Sequence, residues 1–241
     1  MDTTLLLIPG LAANEVMWRA QVDALAGRRP LVTDVHTRHA SIPEMAAALL
    51  EEHPGELVLC GASMGGMVAM EAARQAPERI AGLALLGTNA APESAAMRRI
   101  REDAIVLFGQ GRLREIIEPN VGVAFHPEHA REPRLVEAYL GFVLEAGAAQ
   151  LIAQNRAVIA RPDARLHLPK LKCPVLVMCG EADQLTPPEC SQEIARLCPR
   201  SRLVMVPRCG HMLTMEQPDA VNAVLQEWLD SVIPPGMSSR P

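Results

Sequence analysis

Short apolar runs of strand length alternate with segments of helical spacing through most of this chain, and that alternation restricts it to parallel strands joined by right-handed helical crossovers. Thr4 to Ile8 reads as the first strand, broken by Pro9-Gly10. Glu15 to Leu25 then places Val16, Ala20, Val22 and Leu25 at helical spacing, with Gly27 as the stop. Leu31 to Val35 reads as a second strand, and Ile42 to Glu52 as a helix with Ser41 at its N-cap and Pro43 in its first turn. Leu57 to Cys60 is a buried strand that runs into a Gly-rich turn, followed by a small-residue helix, Met67 to Gln75, and a strand, Ile80 to Leu86.

Beyond Asn89 the alternation stops. Residues 92–165 carry four helical patterns (Met97 to Phe108, Leu113 to Ile117, Arg134 to Glu145, Ala148 to Ala160) and no strand. It resumes with a strand at Val175 to Cys179, a helix at Pro188 to Leu197, a strand at Leu203 to Val206 and a helix at Pro218 to Val232. The expected organisation is an α/β core made of residues 1–91 and 166–233, a helical cap at 92–165, and a frayed tail at 234–241.

Composition narrows what such a fold could serve. At 241 residues the chain can bury a core as one domain, and 49% hydrophobic with 21% charged residues is ordinary globular usage rather than a disordered composition. Aromatics are only 2%, so the core must be built from Leu, Ala, Val, Ile and Met. The net charge of −5, with pairs such as Arg28-Arg29 and Arg98-Arg99 scattered, argues against a nucleic-acid partner. No apolar run approaches the roughly 20 residues needed to span a bilayer, and no cationic region precedes the first apolar stretch, so a cytoplasmic monomer or homodimer is expected. The six cysteines (Cys60, Cys173, Cys179, Cys190, Cys198, Cys209) lack C-x-x-C spacing and are expected as free, mostly buried thiols.

The chemistry concentrates in Gly61-x-Ser63-x-Gly65, placed between a buried strand and a helix. A turn this tight has no room for flanking side chains, so it holds the Ser63 hydroxyl clear of the backbone at the carboxyl end of the sheet. A serine hydroxyl is a weak nucleophile and needs a base, which in turn needs an orienting acid. Two later loops, each after a strand, supply them: Gly180-Glu181-Ala182-Asp183 and Cys209-Gly210-His211. Asp183 is favoured over Glu181 because it sits farther into its turn, and His211 is the one histidine in a strand-then-Gly turn late in the chain. His36, His39, His53 and His167 read as solvated or helix-end residues. His126 and His129 have a spacing that invites a metal, but Pro127 disfavours a regular helix and no third ligand is evident, so no metal or cofactor is expected. For a developing oxyanion, the backbone N–H groups of Met64 and Leu11 are the candidate donors.

On these residues the chain resembles the α/β-hydrolase superfamily, in particular its small capped bacterial carboxylesterases. Leu7-Ile8-Pro9-Gly10-Leu11 looks like the oxyanion loop, Gly61-Ala62-Ser63-Met64-Gly65-Gly66 like the nucleophile elbow, Gly180-x-x-Asp183-x-x-x-Pro187 like the acid loop, and Gly210-His211 with Glu216-x-Pro218 like the histidine loop. The chain departs from the family in carrying Pro9-Gly10 where members usually carry His-Gly, and in lacking a leading hairpin, which leaves about six mostly parallel strands flanked by helices. The resemblance implies a serine esterase with an ester as small-molecule partner. Relatives that cleave carbon–carbon bonds or transfer acyl groups to peroxide or an alcohol use the same triad, and a non-catalytic binding protein on the same fold is the remaining alternative. Met67, Met97 and Met212 read either as lining for an adaptable apolar pocket or as plain core.

Overall fold

In the computed structural model, which describes residues 3–233, six apolar segments pair as one parallel sheet. In chain order the elements are Thr4–Ile8 (β1), Arg19–Ala24 (α1), Leu31–Val32 (β2), Val35–Arg38 (α2), Ile42–Glu52 (α3), Leu57–Ala62 (β3), Met64–Gln75 (α4) and Ile80–Leu86 (β4). Then come Ala95–Gly109 (α5), Leu113–Ala124 (α6) and Pro133–Ile159 (α7), all between β4 and the next strand. Val175–Gly180 (β5), Pro188–Leu197 (α8), Ser201–Val206 (β6), Leu213–Glu216 (α9) and Pro218–Val232 (α10) complete the chain.

The strand order is β2-β1-β3-β4-β5-β6. Every residue of β3 and β5 is buried, because helices cover both faces of the sheet, and this is why those strands read as unbroken apolar runs. Alternate residues feed two cores: Leu5, Leu7, Val58 and Cys60 pack on one face, Leu6, Ile8, Leu57 and Leu59 on the other. After β1 the chain moves to one side of the sheet to make β2, then crosses back to lay β3 on the other side. The loops after β1 and β3 therefore diverge, and such a switch point opens a crevice at the carboxyl ends of the strands.

Four sequence expectations are corrected. The second strand stops at Val32, because Thr33 Oγ1 accepts from the Val35 N–H at 3.4 Å and turns the chain into the short helix α2. The first helix is split: Asn14 caps a 3₁₀ turn at Glu15–Trp18, α1 ends at Ala24, and the chain reverses at Arg29 (φ 49°) rather than at Gly27. The pattern at Leu113 to Ile117 continues through Pro119 to Ala124. Finally, α7 is long and apolar enough by length and composition to cross a membrane, contrary to the expectation that no run approaches that length. It is interrupted by Glu137 and Glu145 and breaks at Gly147 (φ 73°, ψ 173°), the boundary between the two helices expected there. The tail at 234–241 lies outside the described residues.

Candidate active site

Ser63 joins β3 to α4 in a backbone conformation that L-residues rarely adopt, φ 53° and ψ −118°. The turn is held from both sides: the Ser63 N–H donates to the Leu86 carbonyl at 2.9 Å, and Thr88 Oγ1 donates to the Ser63 carbonyl at 2.7 Å. Neighbouring backbone packs so closely that a β-carbon on Gly65 would collide with the Ile8 carbonyl and lie 2.7 Å from the Pro9 oxygen. One on Gly61 would strike Gly65 itself. Strain at a single residue, fixed by its surroundings, is characteristic of functional positions.

His211 and Asp183 meet across the ends of β5 and β6. His211 Nδ1 lies 2.8 Å from Asp183 Oδ2, with the Asp183 side chain fully buried and that of His211 7% exposed. Asp183 is fixed independently of the histidine: its Oδ1 accepts from the Leu185 and Thr186 N–H groups, both at 2.9 Å, and Oδ2 accepts from Thr186 Oγ1 at 2.8 Å. Glu181, the alternative acid, is exposed. Burial pushes the Asp183 carboxyl up, but attraction to His211 and the hydrogen bonds from His211 and Thr186 outweigh it and hold the group below the ordinary carboxylate value. For His211, burial pulls the pKa down. The charge and hydrogen bond of Asp183 push harder, Glu216 adds to them, Arg101 opposes, and the net position is above the ordinary imidazole value.

The loop after β1 comes to rest against this serine. A β-carbon on Gly10 would sit 3.3 Å from Ser63 Cβ, so glycine is what permits the approach. Among the described residues the N–H of Leu11 has no hydrogen-bond partner, and Met64, first residue of α4, cannot donate within its own helix. The helix dipole adds positive potential at Met64.

Ser63, His211 and these two residues share the wall of a cavity of about 240 Å³. The wall is mostly apolar and includes Met67, Met97 and Met212, together with Phe108, Tyr139 and Phe142 from the helices between β4 and β5. Among the described residues no hydrogen bond joins Ser63 Oγ to the His211 ring. In resting sites such contacts are commonly long and tighten when substrate binds.

A family model described as the alpha/beta hydrolase family matches residues 5–224. The chain belongs to this family. A pimeloyl-[acyl-carrier protein] methyl ester esterase from Nitrosomonas europaea is 27% identical over 233 residues, covering 89% of this chain and 91% of the relative. A putative carbamate hydrolase, RutD, from Klebsiella pneumoniae is 26% identical, covering 97% and 94%. Among solved structures, a thermophilic esterase from Thermogutta terrifontis, bound to malate, superposes with a TM-score of 0.86 at 30% identity, covering 95% and 90%.

Several residues that shape the site in this alpha/beta hydrolase were not singled out from sequence. Gln154, on α7, accepts the Ala12 N–H at 2.7 Å and donates to the His36 carbonyl at 2.9 Å, while His36 Nε2 lies 2.8 Å from the Ala13 carbonyl. His36 is therefore a buried brace of the Leu11 loop, not a solvated histidine, and burial lowers its pKa. Glu216 accepts from the N–H groups of Gly210, Met212 and His126, and His129 Nδ1 lies 2.9 Å from it, so the two histidines first weighed as metal ligands instead tie the loop after α6 to the His211 loop. Thr186 had a legible signal, since an Asp three residues before a Thr commonly closes such a turn. Arg101 had one too: it interrupts the apolar stripe Met97, Ile100, Ala104, Phe108 of α5.

Proposed function

We propose that this hydrolase is a serine carboxylesterase that cleaves small or medium, largely apolar esters through an acyl-enzyme. The observation that carries the reading is the 2.8 Å Asp183–His211 contact at the wall of the same apolar cavity as Ser63. Asp183 on Nδ1 fixes the imidazole with its Nε2 lone pair free, the state needed to accept a proton. His211 Nε2 takes the Ser63 proton as Oγ bonds to the carbonyl carbon. The carbonyl oxygen becomes an alkoxide held by the Leu11 and Met64 N–H groups, each such donor contributing about 3–4 kcal/mol to the transition state. His211 returns the proton to the departing alcohol, leaving the acyl group on Ser63. Water, deprotonated by the same ring, then attacks that ester and releases the acid. The esterase names of the Nitrosomonas and Thermogutta relatives support an ester as the substrate.

A cavity of about 240 Å³ lies near the small end of ligand pockets, which favours short acyl chains. The purified protein is expected to release 4-nitrophenol from its acetate or butyrate ester, and Ser63→Ala to lose at least about 10⁴-fold in kcat. Retention of most of the activity in that variant overturns the assignment.

A further inference from the structure

We propose that Arg101 makes this cavity selective for esters that carry a second, anionic group, a carboxylate being the simplest. This rests on the ester-hydrolase reading and adds a substrate class to it. Among the described residues lining the cavity there is no Asp or Glu, and Arg101 is the one side chain that is cationic at every working pH.

The guanidinium is fixed in place. Its Nε donates to Glu93 Oε2 at 2.6 Å and its Nη1 to Asn155 Oδ1 at 2.8 Å. Nη2 has no hydrogen-bond partner among the described residues, which leaves both of its N–H groups uncommitted on a side chain that lines the cavity. Glu93 does not cancel the charge, because it is shared. Arg161, its side chain 3% exposed, lies 3.0 Å from the same carboxylate and uses its remaining donors on the Ala91 and Val158 carbonyls. Two cations against one carboxylate leave one positive charge in excess, and of the pair Arg101 is the one that lines the cavity.

Structural ties from α5 to Glu93, in the segment before it, and to Asn155 of α7 account for Nε and Nη1 but not for the free edge. The charge is felt across the cavity, since Arg101 opposes protonation of His211. A guanidinium with an open N–H pair beside apolar walls is matched best by a planar anion, and a carboxylate forms short charge-assisted hydrogen bonds with it.

The test compares kcat/KM for two methyl-ester series of equal chain length, the monomethyl esters of α,ω-dicarboxylic acids and the methyl esters of unbranched monocarboxylic acids. Wild type is expected to prefer the anionic series about tenfold or more at one chain length, and Arg101→Met to lower that ratio by about tenfold, chiefly through KM. Arg101→Lys keeps the charge without the fork and should retain part of the preference. An unchanged ratio in Arg101→Met overturns the proposal, as does equal loss on both series, which marks a structural tie or a hold on the product acid. Should Arg101→Met fail to fold, calorimetry on Ser63→Ala decides: monomethyl adipate, which is anionic, should bind about tenfold tighter than the neutral methyl hexanoate, and equal affinities sink the idea. Wild type that cleaves neutral esters without preferring anionic ones leaves the esterase reading standing and removes only this inference. Wild type that cleaves neither series nor 4-nitrophenyl butyrate removes both.

Discussion

Asp183→Asn separates an orienting acid from a merely structural carboxylate. The amide is nearly isosteric, and the geometry dictates how it must sit. Its oxygen belongs where Asp183 Oδ1 now accepts two backbone N–H groups at 2.9 Å; turning it round would leave both of those buried donors facing an NH₂. Each unsatisfied donor costs about 1–3 kcal/mol, so the flipped amide is disfavoured by roughly 2–6 kcal/mol. The NH₂ group therefore faces His211 Nδ1, and a donor opposite a donor forces the ring into the tautomer protonated on Nε2. That nitrogen then presents a hydrogen, not a lone pair, to Ser63. Loss of the working tautomer in a Ser-His-Asp site is worth about 10⁴ in kcat, or about 5.4 kcal/mol.

The pH profile adds an independent sign. In the wild type His211 is raised above its ordinary value, and the base works only when neutral, so kcat/KM should fall as pH drops through that raised pKa. Without the Asp183 charge, burial, already the largest single influence on the ring, is no longer outweighed and lowers its pKa, so the acid limb of the variant must move to lower pH while the plateau collapses. The assay is kcat/KM for 4-nitrophenyl butyrate from about pH 5 to pH 9, with a thermal melt to confirm folding. A folded variant that keeps more than about a tenth of the plateau, with its acid limb unmoved, refutes the role given to Asp183. Glu181→Gln, a change at an exposed side chain of the same turn, should leave the profile near wild type.

Two further outcomes follow from the packing. Gly65→Ala places a β-carbon against the Ile8 and Pro9 carbonyls and should destabilise by about 3 kcal/mol, read as a fall in Tm of roughly 6–12 °C by scanning calorimetry; an unchanged Tm would mean the turn relaxes freely. Gln154→Leu strips the brace from the Ala12 N–H and should lower kcat about tenfold with little change in KM, together with weaker binding of a boronic-acid transition-state analogue. A lower Tm with kcat and analogue affinity intact would assign Gln154 to stability alone.

What could be read from sequence and what could not divides along physical lines. β1, α3, α8 and α10 have the bounds expected of them, because unbroken apolar runs, a Ser41 cap and prolines in a first helical turn are local signals whose physics is contained in a few neighbouring residues. Ser63 was legible for the same reason: a side chain held on a strained corner needs glycines at fixed offsets, and the collisions at Gly61 and Gly65 are that requirement in coordinates. The edge strand β2 failed because Leu31 to Val35 is apolar enough for a strand, while the hydroxyl of Thr33 ends it two residues in. Asp183 could be preferred to Glu181 on position within the turn, and the underlying cause is a side chain short enough to accept the N–H groups two and three residues on while still reaching His211.

The illegible part is the support. Gln154 lies 142 residues from the Ala12 N–H it accepts, and Glu216 lies 90 from His126, so neither contact leaves a local pattern in the chain. Both bind the helices inserted after β4 to the loops that surround Ser63, one at the Leu11 turn and the other at the His211 turn. The helices that line the cavity are thus also what hold the Leu11 loop and the His211 loop in position. Movement of α7 away from the sheet would release the Ala12 N–H along with the cavity wall, so under the proposed function the shape of the cavity and the position of the Leu11 N–H are linked through one helix. That linkage predicts that changes on the inner face of α7 affect kcat as well as KM, which a role confined to substrate binding would not produce.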